Sequence, residues 1–341
     1  MKHKILALAL VGAFGAAHAQ SSVVIYGTLD QGFTKRTDTT TSIGKRDNNK
    51  LGFKGVEDLG DGLKATFQLE MRYDADTGIT EGNGARPLFQ GESRVGLQGN
   101  FGWVRIGRAQ SALQSSIDAF DPFYGLSSTE GFKADVLVGG YTSDPLSVAG
   151  NSANRFSNAI FYTSNDLAGF QINASVATKE ANSGPALIGR GTAAAPQYVA
   201  NAEATANPYS VAVTYKMGPG ALLAAAERNA VETKMLLLGA SLNASDALKL
   251  MATYSRQDQD HTKLTNPKTK AFVVGANYVM GASKFIAGYG QKTPDGVIKT
   301  KEASLGYEYS LSKRTFVYVD ASNKKAATSI NYYNMGIHHN F

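Results

Sequence analysis

The chain of 341 residues contains no cysteine, so disulfide frameworks, thiolate metal sites and cysteine nucleophiles are all excluded. Proline is scarce at 9 residues, and only 18% of residues are charged, below the roughly 25% of soluble domains. After residue 19 no apolar run approaches the ~20 residues that a membrane-spanning helix needs. Histidine is sparse too, and only His261, His338 and His339 lie beyond that point. Neighbouring strand residues face opposite ways, so His338 and His339 cannot hold one metal ion between them. Neither a GxxxxGK[ST] phosphate loop nor a GxSxG elbow occurs, and no metal, cofactor or enzymatic activity is expected. The pI of 9.2 does not read as nucleic-acid binding, because the basic residues are scattered and form no patch. What is plentiful is glycine (36), tyrosine (16) and phenylalanine (16), within a 43% hydrophobic composition. Such a chain is ordered and is most simply all-β.

Residues 1–19 read as a removable address. Lys2 and Lys4 precede an apolar run of 13 residues, Ile5 to Ala17, and Ala17-His18-Ala19 supplies the small residues of a signal-peptide cleavage site. Without Lys2 and Lys4 the formal charge falls from +6 to +4. The division expected is a signal peptide at 1–19 and one exported domain at 20–341.

That domain alternates along its length. Leu63, Ala65, Phe67, Leu69 and Met71 fall on one face of a strand, and Lys64, Thr66, Gln68, Glu70 and Arg72 on the other. The pattern recurs at 23–34, 170–177, 209–215, 248–256 and in the tail Tyr333, Met335, Ile337, His339, Phe341. Connections alternate as well. Short turns, such as Glu57–Gly62 and Asn100–Gly102, trade places with long polar stretches, such as 36–48 and 109–157. The segments between these breaks number sixteen. A soluble sandwich shares the half-buried strands but not the short-and-long asymmetry, which is the mark of a transmembrane barrel. In lipid, closure pairs every backbone donor, and sixteen strands enclose a water-filled lumen.

Several stretches resemble Gram-negative general porins of the neisserial and burkholderial type: SSVVIYGTLDQGF (21–33), LGFKGVEDLGDGLKATFQLE (51–70), RVGLQGNFGWVRIGR (94–108) and YYNMGIHHNF (332–341). The resemblance implies a 16-stranded antiparallel transmembrane β-barrel, a homotrimer in the outer membrane, and passive diffusion of small hydrophilic solutes. It also implies a third long loop folded inward to narrow the pore, and a terminal Phe341 presented to the barrel-assembly machinery. A substrate-specific outer-membrane channel shares this fold, and a plugged barrel serving as adhesin or enzyme is a third alternative.

Rings of charge at a constriction set channel selectivity. Parity turns Arg72, Arg94 and Arg105 inward, and Lys54 with them if Leu51 and Phe53 face lipid. Arg155 stands at the end of the long stretch 109–157. The resemblance implies that bases at Lys54, Arg94 and Arg155 line the eyelet wall. Lysine at 54 keeps a charge there but not a planar guanidinium. The long loop carries Asp118, Asp121, Glu130 and Asp135, which would face that wall if the loop turned inward. A modest preference for small anions is expected. Tyr73, Trp103, Phe170, Tyr215, Tyr278, Tyr309 and Phe341, all near strand ends, are candidates for interfacial aromatic girdles.

Overall fold

The structure is a computed structural model that describes residues 22–126, 131–145, 154–178, 186–192, 195–199, 206–258 and 268–341. The expected signal peptide at 1–19 lies outside the described residues, as does His261. Sixteen strands form the barrel. The first eight are β1 (Ser22–Arg36), β2 (Lys50–Gly60), β3 (Leu63–Asp74), β4 (Glu92–Gly99), β5 (Gly102–Gln110), β6 (Arg155–Thr163), β7 (Phe170–Ala177) and β8 (Tyr209–Met217). The rest are β9 (Gly220–Arg228), β10 (Lys234–Asn243), β11 (Leu248–Asp258), β12 (Lys268–Met280), β13 (Ser283–Pro294), β14 (Thr300–Ser310), β15 (Thr315–Lys325) and β16 (Ser329–Asn340). Each pairs antiparallel with its sequence neighbours, and β1 closes the ring on β16 with Thr28 opposite Asn340. Closure leaves no free edge, which membrane-embedded sheets require.

Period-two alternation dictates which way each side chain faces. Thr28, Asp30, Ser210, Ser255, Ser304 and Asp320 are buried on the inner face. Their neighbours in sequence, Leu29, Val211, Tyr254 and Leu305, are exposed on the outer one. Leu305 is 65% exposed at the middle of β14. A sandwich would bury these apolar residues, and only a lipid-facing surface leaves them outside. The short turns lie where the alternation breaks. At the β2–β3 turn Gly60, Asp61 and Gly62 all take left-handed φ values of 90°, 50° and 77°, which glycine and Asp tolerate best.

Aromatic residues do gather near strand ends on the outer face, as where the Phe170 and Tyr215 rings stack at 4.1 Å. Trp103 is a correction to the girdle expectation. It shares the parity of Arg105, and its Nε1 donates to Thr66 Oγ1 on the inner face at 2.9 Å.

The long connection after β5 carries a short helix, α1 (Ala112–Ile117), a 3₁₀ turn Asp118–Phe120 and a π-helical turn Lys133–Leu137. Ser111 caps α1 by accepting from the Gln114 N–H. Leu113, Ile117, Phe120, Phe123, Phe132, Val136 and Leu137 of this segment form one apolar cluster with Leu223, Leu237, Val273 and Ile286 of β9, β10, β12 and β13.

Candidate functional site

Three sectors of chain meet around one cavity. The first is a wall of bases on β3, β4 and β6. Arg94 donates to Gln68 Oε1 at 2.5 Å, Gln68 donates to Tyr26 Oη at 2.6 Å, and Tyr26 donates to Glu70 at 3.0 Å. Arg94 Nε also faces Glu92 at 3.3 Å, and Arg72 Nε faces Glu70 at 3.7 Å. Arg155, almost wholly buried, donates to the Gly91 carbonyl and to Asn154 Oδ1 at 2.7 Å.

The second sector is the segment after β5. The Ala112 and Leu113 N–H groups donate to Ser175 and Ser210 on β7 and β8, at 3.2 and 2.8 Å. Thr253 and Ser255 of β11 donate to the carbonyls of Phe120 and Leu137, at 2.8 and 2.7 Å. Lys292 of β13 donates to the Asp135 carbonyl at 2.7 Å, and Lys324 of β15 pairs with the Asp135 carboxylate. The third sector is the connection between β1 and β2, whose Arg46 reaches across to Glu308 of β14 and Asp320 of β15.

The cavity between them measures about 540 Å³. Among the described residues, six bases (Arg46, Lys50, Arg72, Arg94, Arg155, Lys284) and five acids (Asp47, Glu70, Glu92, Asp118, Glu308) line it. A second cavity of about 350 Å³ adjoins it, sharing Arg72 and Gln110 and bounded by Arg86, Lys133, Val138 and Tyr141.

Of the bases expected from sequence, Arg72, Arg94 and Arg155 therefore meet at this cavity. Lys54 and Arg105 stand apart from its lining. Lys54 lies over the Tyr26 ring at 5.0 Å; Arg105 stacks on Trp103 at 4.1 Å, nearer the short-turn end of β5. Of the expected acids only Asp118 lines it, in an ion pair with Lys133 at 2.7 Å. Burial pushes the Asp118 carboxyl up, against the pull of Lys133.

Asp121 is not on the cavity. It is fully buried, and its Oδ1 accepts the Phe123 N–H at 2.9 Å to hold the turn. Glu130 lies outside the described residues.

Arg46, Lys50, Lys284 and Glu308 were not among the expected site residues. Lys284 has a sequence signal, the inward parity between Ser283 and Phe285, while Arg46 sits in a polar stretch with no period to place it. Burial opposes the charge on Arg46, but the carboxylates of Asp320 and Glu308 outweigh it and raise its pKa.

Asp121 makes the loop sensitive to pH. Burial lifts its carboxyl to about 7, with the Asp118 charge pushing the same way and the Phe123 N–H and Lys133 pulling down. The folded loop keeps the proton that the unfolded chain gives up near pH ~3.9. Docking is therefore firmest below about pH 4 and weakens as pH rises through 7. Amide protection factors of residues 118–126, each rate divided by its intrinsic value at that pH, should be higher at pH 5 than at pH 8, and Asp121→Asn should flatten the difference. A pH-independent wild type would contradict the assignment.

Comparison with known proteins decides the family. The model of the Gram-negative porin family matches residues 7–328. The chain belongs to that family. It is 30% identical to outer membrane porin protein 32 of Delftia acidovorans, across 96% of this chain and 92% of that one. Over 129 residues it is 40% identical to the major outer membrane protein P.IB of Neisseria meningitidis, covering 35% of this chain and 37% of that protein. The barrel superimposes on an anion-selective porin from Comamonas acidovorans with a TM-score of 0.76, at 23% identity, over 94% of this chain and 100% of the other. The porin is accordingly an outer-membrane protein whose sixteen-stranded barrel forms a channel. Proteins of this family and fold are channels rather than enzymes.

Proposed function

We propose that this porin is a general diffusion channel with a modest preference for anions, and that the 540 Å³ cavity is its constriction. In this reading residues 111–126 and 131–145 fold into the lumen. Arg72, Arg94 and Arg155 face Asp118 across the narrowest point, setting up a transverse field that a water-poor site strengthens. Lys54 and Arg105 extend the basic ladder toward the short-turn side. The observation that carries the reading is the lining itself, six bases against five acids, because so slight an excess favours anions weakly. The Comamonas acidovorans porin, which shares the fold, is anion-selective and so agrees in sign.

Three copies assemble in outer-membrane lipid, following the resemblance to trimeric porins. Residues 1–19 act as the export signal, and Phe341 is offered to the assembly machinery. No catalysis belongs to this reading.

The test is reversal potential across a planar bilayer under a KCl gradient. Wild type should favour chloride, and the preference should fade between 0.1 and 1 M salt as the Debye length shrinks from ~10 to ~3 Å. Arg94→Gln with Arg155→Gln should move the potential toward potassium. Unchanged potentials would defeat the assignment of the basic wall. A substrate-specific channel is favoured by one feature, the 350 Å³ cavity that joins Arg72, Arg86 and Lys133 to apolar Val138 and Tyr141. Conductance that saturates with one solute class would select it.

A further inference from the structure

Arg46 is held at both ends of its guanidinium fork. Its Nη2 lies 2.7 Å from Glu308 Oε1 and its Nη1 3.1 Å from Asp320 Oδ2, so one planar fork bridges two carboxylates on adjacent strands. Tyr318 and Phe316 cover the guanidinium, with ring centroids at 4.2 and 5.3 Å. The backbone is fixed as well. The Arg46 N–H donates to Asp30 Oδ1 at 2.7 Å, Tyr318 donates to the same oxygen at 2.7 Å, and Asn49 Oδ1 accepts the Asp30 N–H at 2.7 Å. The wall itself makes room: a Cβ on Gly306 would come within 2.6 Å of Asp320 Oδ1.

We propose that Arg46 is a selectivity-determining residue, a counter-ion delivered by the β1–β2 connection that offsets the charge of Glu308 and Asp320 on the wall opposite Arg94 and Arg155. The proposal rests on the reading of this cavity as the constriction. With six bases and five acids in the lining, the sign of the balance turns on single charges. Losing Arg46 removes the cation that bridges two carboxylates on the far side. Losing the carboxylates instead leaves Arg46 and Lys284 unopposed, since Lys284 also pairs with Glu308.

Opposite signs are the diagnostic result. Arg46→Gln should lower the chloride-to-potassium permeability ratio by roughly threefold, because a positive charge is lost at short range in a narrow pore. Glu308→Gln with Asp320→Asn should raise that ratio. A purely structural tether would shift conductance in both variants without sending the two reversal potentials apart. Arg46→Lys keeps the charge but not the fork, and should hold the reversal potential near wild type. If Arg46→Gln does not assemble, the double neutralisation still decides by the direction of its shift. Reversal potentials unmoved in both variants, while Arg94→Gln with Arg155→Gln moves them, would overturn the role of Arg46 and leave the basic wall intact. The converse result would remove the basic wall and keep Arg46.

Discussion

Gly288→Val is expected to raise single-channel conductance about twofold or more and to blunt ion selectivity, because it evicts an aromatic knob from the inner wall. Gly288 lies mid-way along β13, and a Cβ built there would come within 2.4 Å of Phe132 Cε2 and 3.0 Å of Pro122 Cγ. Phe132 has no exposed surface and nowhere to retreat within its cluster. Neighbouring contacts repeat the device. A Cβ on Gly290 would meet Phe132 at 2.9 Å, one on Gly275 would meet Pro122 at 2.5 Å, and one on Gly239 would meet Phe120 at 3.0 Å. Glycine inside a strand weakens it, and its use here marks a close approach by another segment. The ladder pins Gly288 between Gly275 and Ser304, so the segment after β5 must give way rather than the barrel. Gly288→Ala should show the same effect more weakly. A correctly assembled Gly288→Val channel with wild-type conductance would show that this segment does not set the pore's width.

The same wall explains what could be read from the sequence. Strict alternation in residues such as 63–72 fixed the strands and their facing, because lipid on one side and water on the other enforce period two. On β9 and β10 the alternation lapses into Leu222-Leu223-Ala224-Ala225-Ala226 and Met235-Leu236-Leu237-Leu238. Leu222, Leu236 and Leu238 are exposed on the outer face, while Leu223, Ala225, Met235 and Leu237 are buried against the loop cluster. A strand apolar on both faces announces an apolar partner inside, and this clue was legible. Arg46 was not. Its position depends on a connection returning across four strands, which no local pattern encodes. Arg108 is hidden for a different reason. The register shifts between Gly107 and Ala109, with Gly107 at φ 133°, so counting by twos fails there. Arg108 is buried, donating to the Gln90 carbonyl at 3.0 Å and to Ser157 at 2.7 Å.

Leu305→Arg should cost about 2–4 kcal/mol of folding stability in the bilayer, the penalty for a guanidinium at mid-membrane on the lipid face. Leu305 is the central residue of β14, furthest from either interface, so the side chain has the longest distance to snorkel. Its cross-strand partners are Ala287 and Ala321, whose small side chains offer no shelter and no counter-charge. One residue away, Ser304 is buried on the inner face, so parity alone separates the two environments. Arginine is freely used on that inner side, at Arg72, Arg94 and Arg155. Its cost at 305 therefore comes from lipid rather than from any dislike of arginine by the strand. Urea titration of the protein refolding into vesicles measures the effect, with Leu305→Met as the neutral control. An arginine variant that refolds with the control's midpoint would place residue 305 in water, and the outward apolar face would then need another explanation than a membrane.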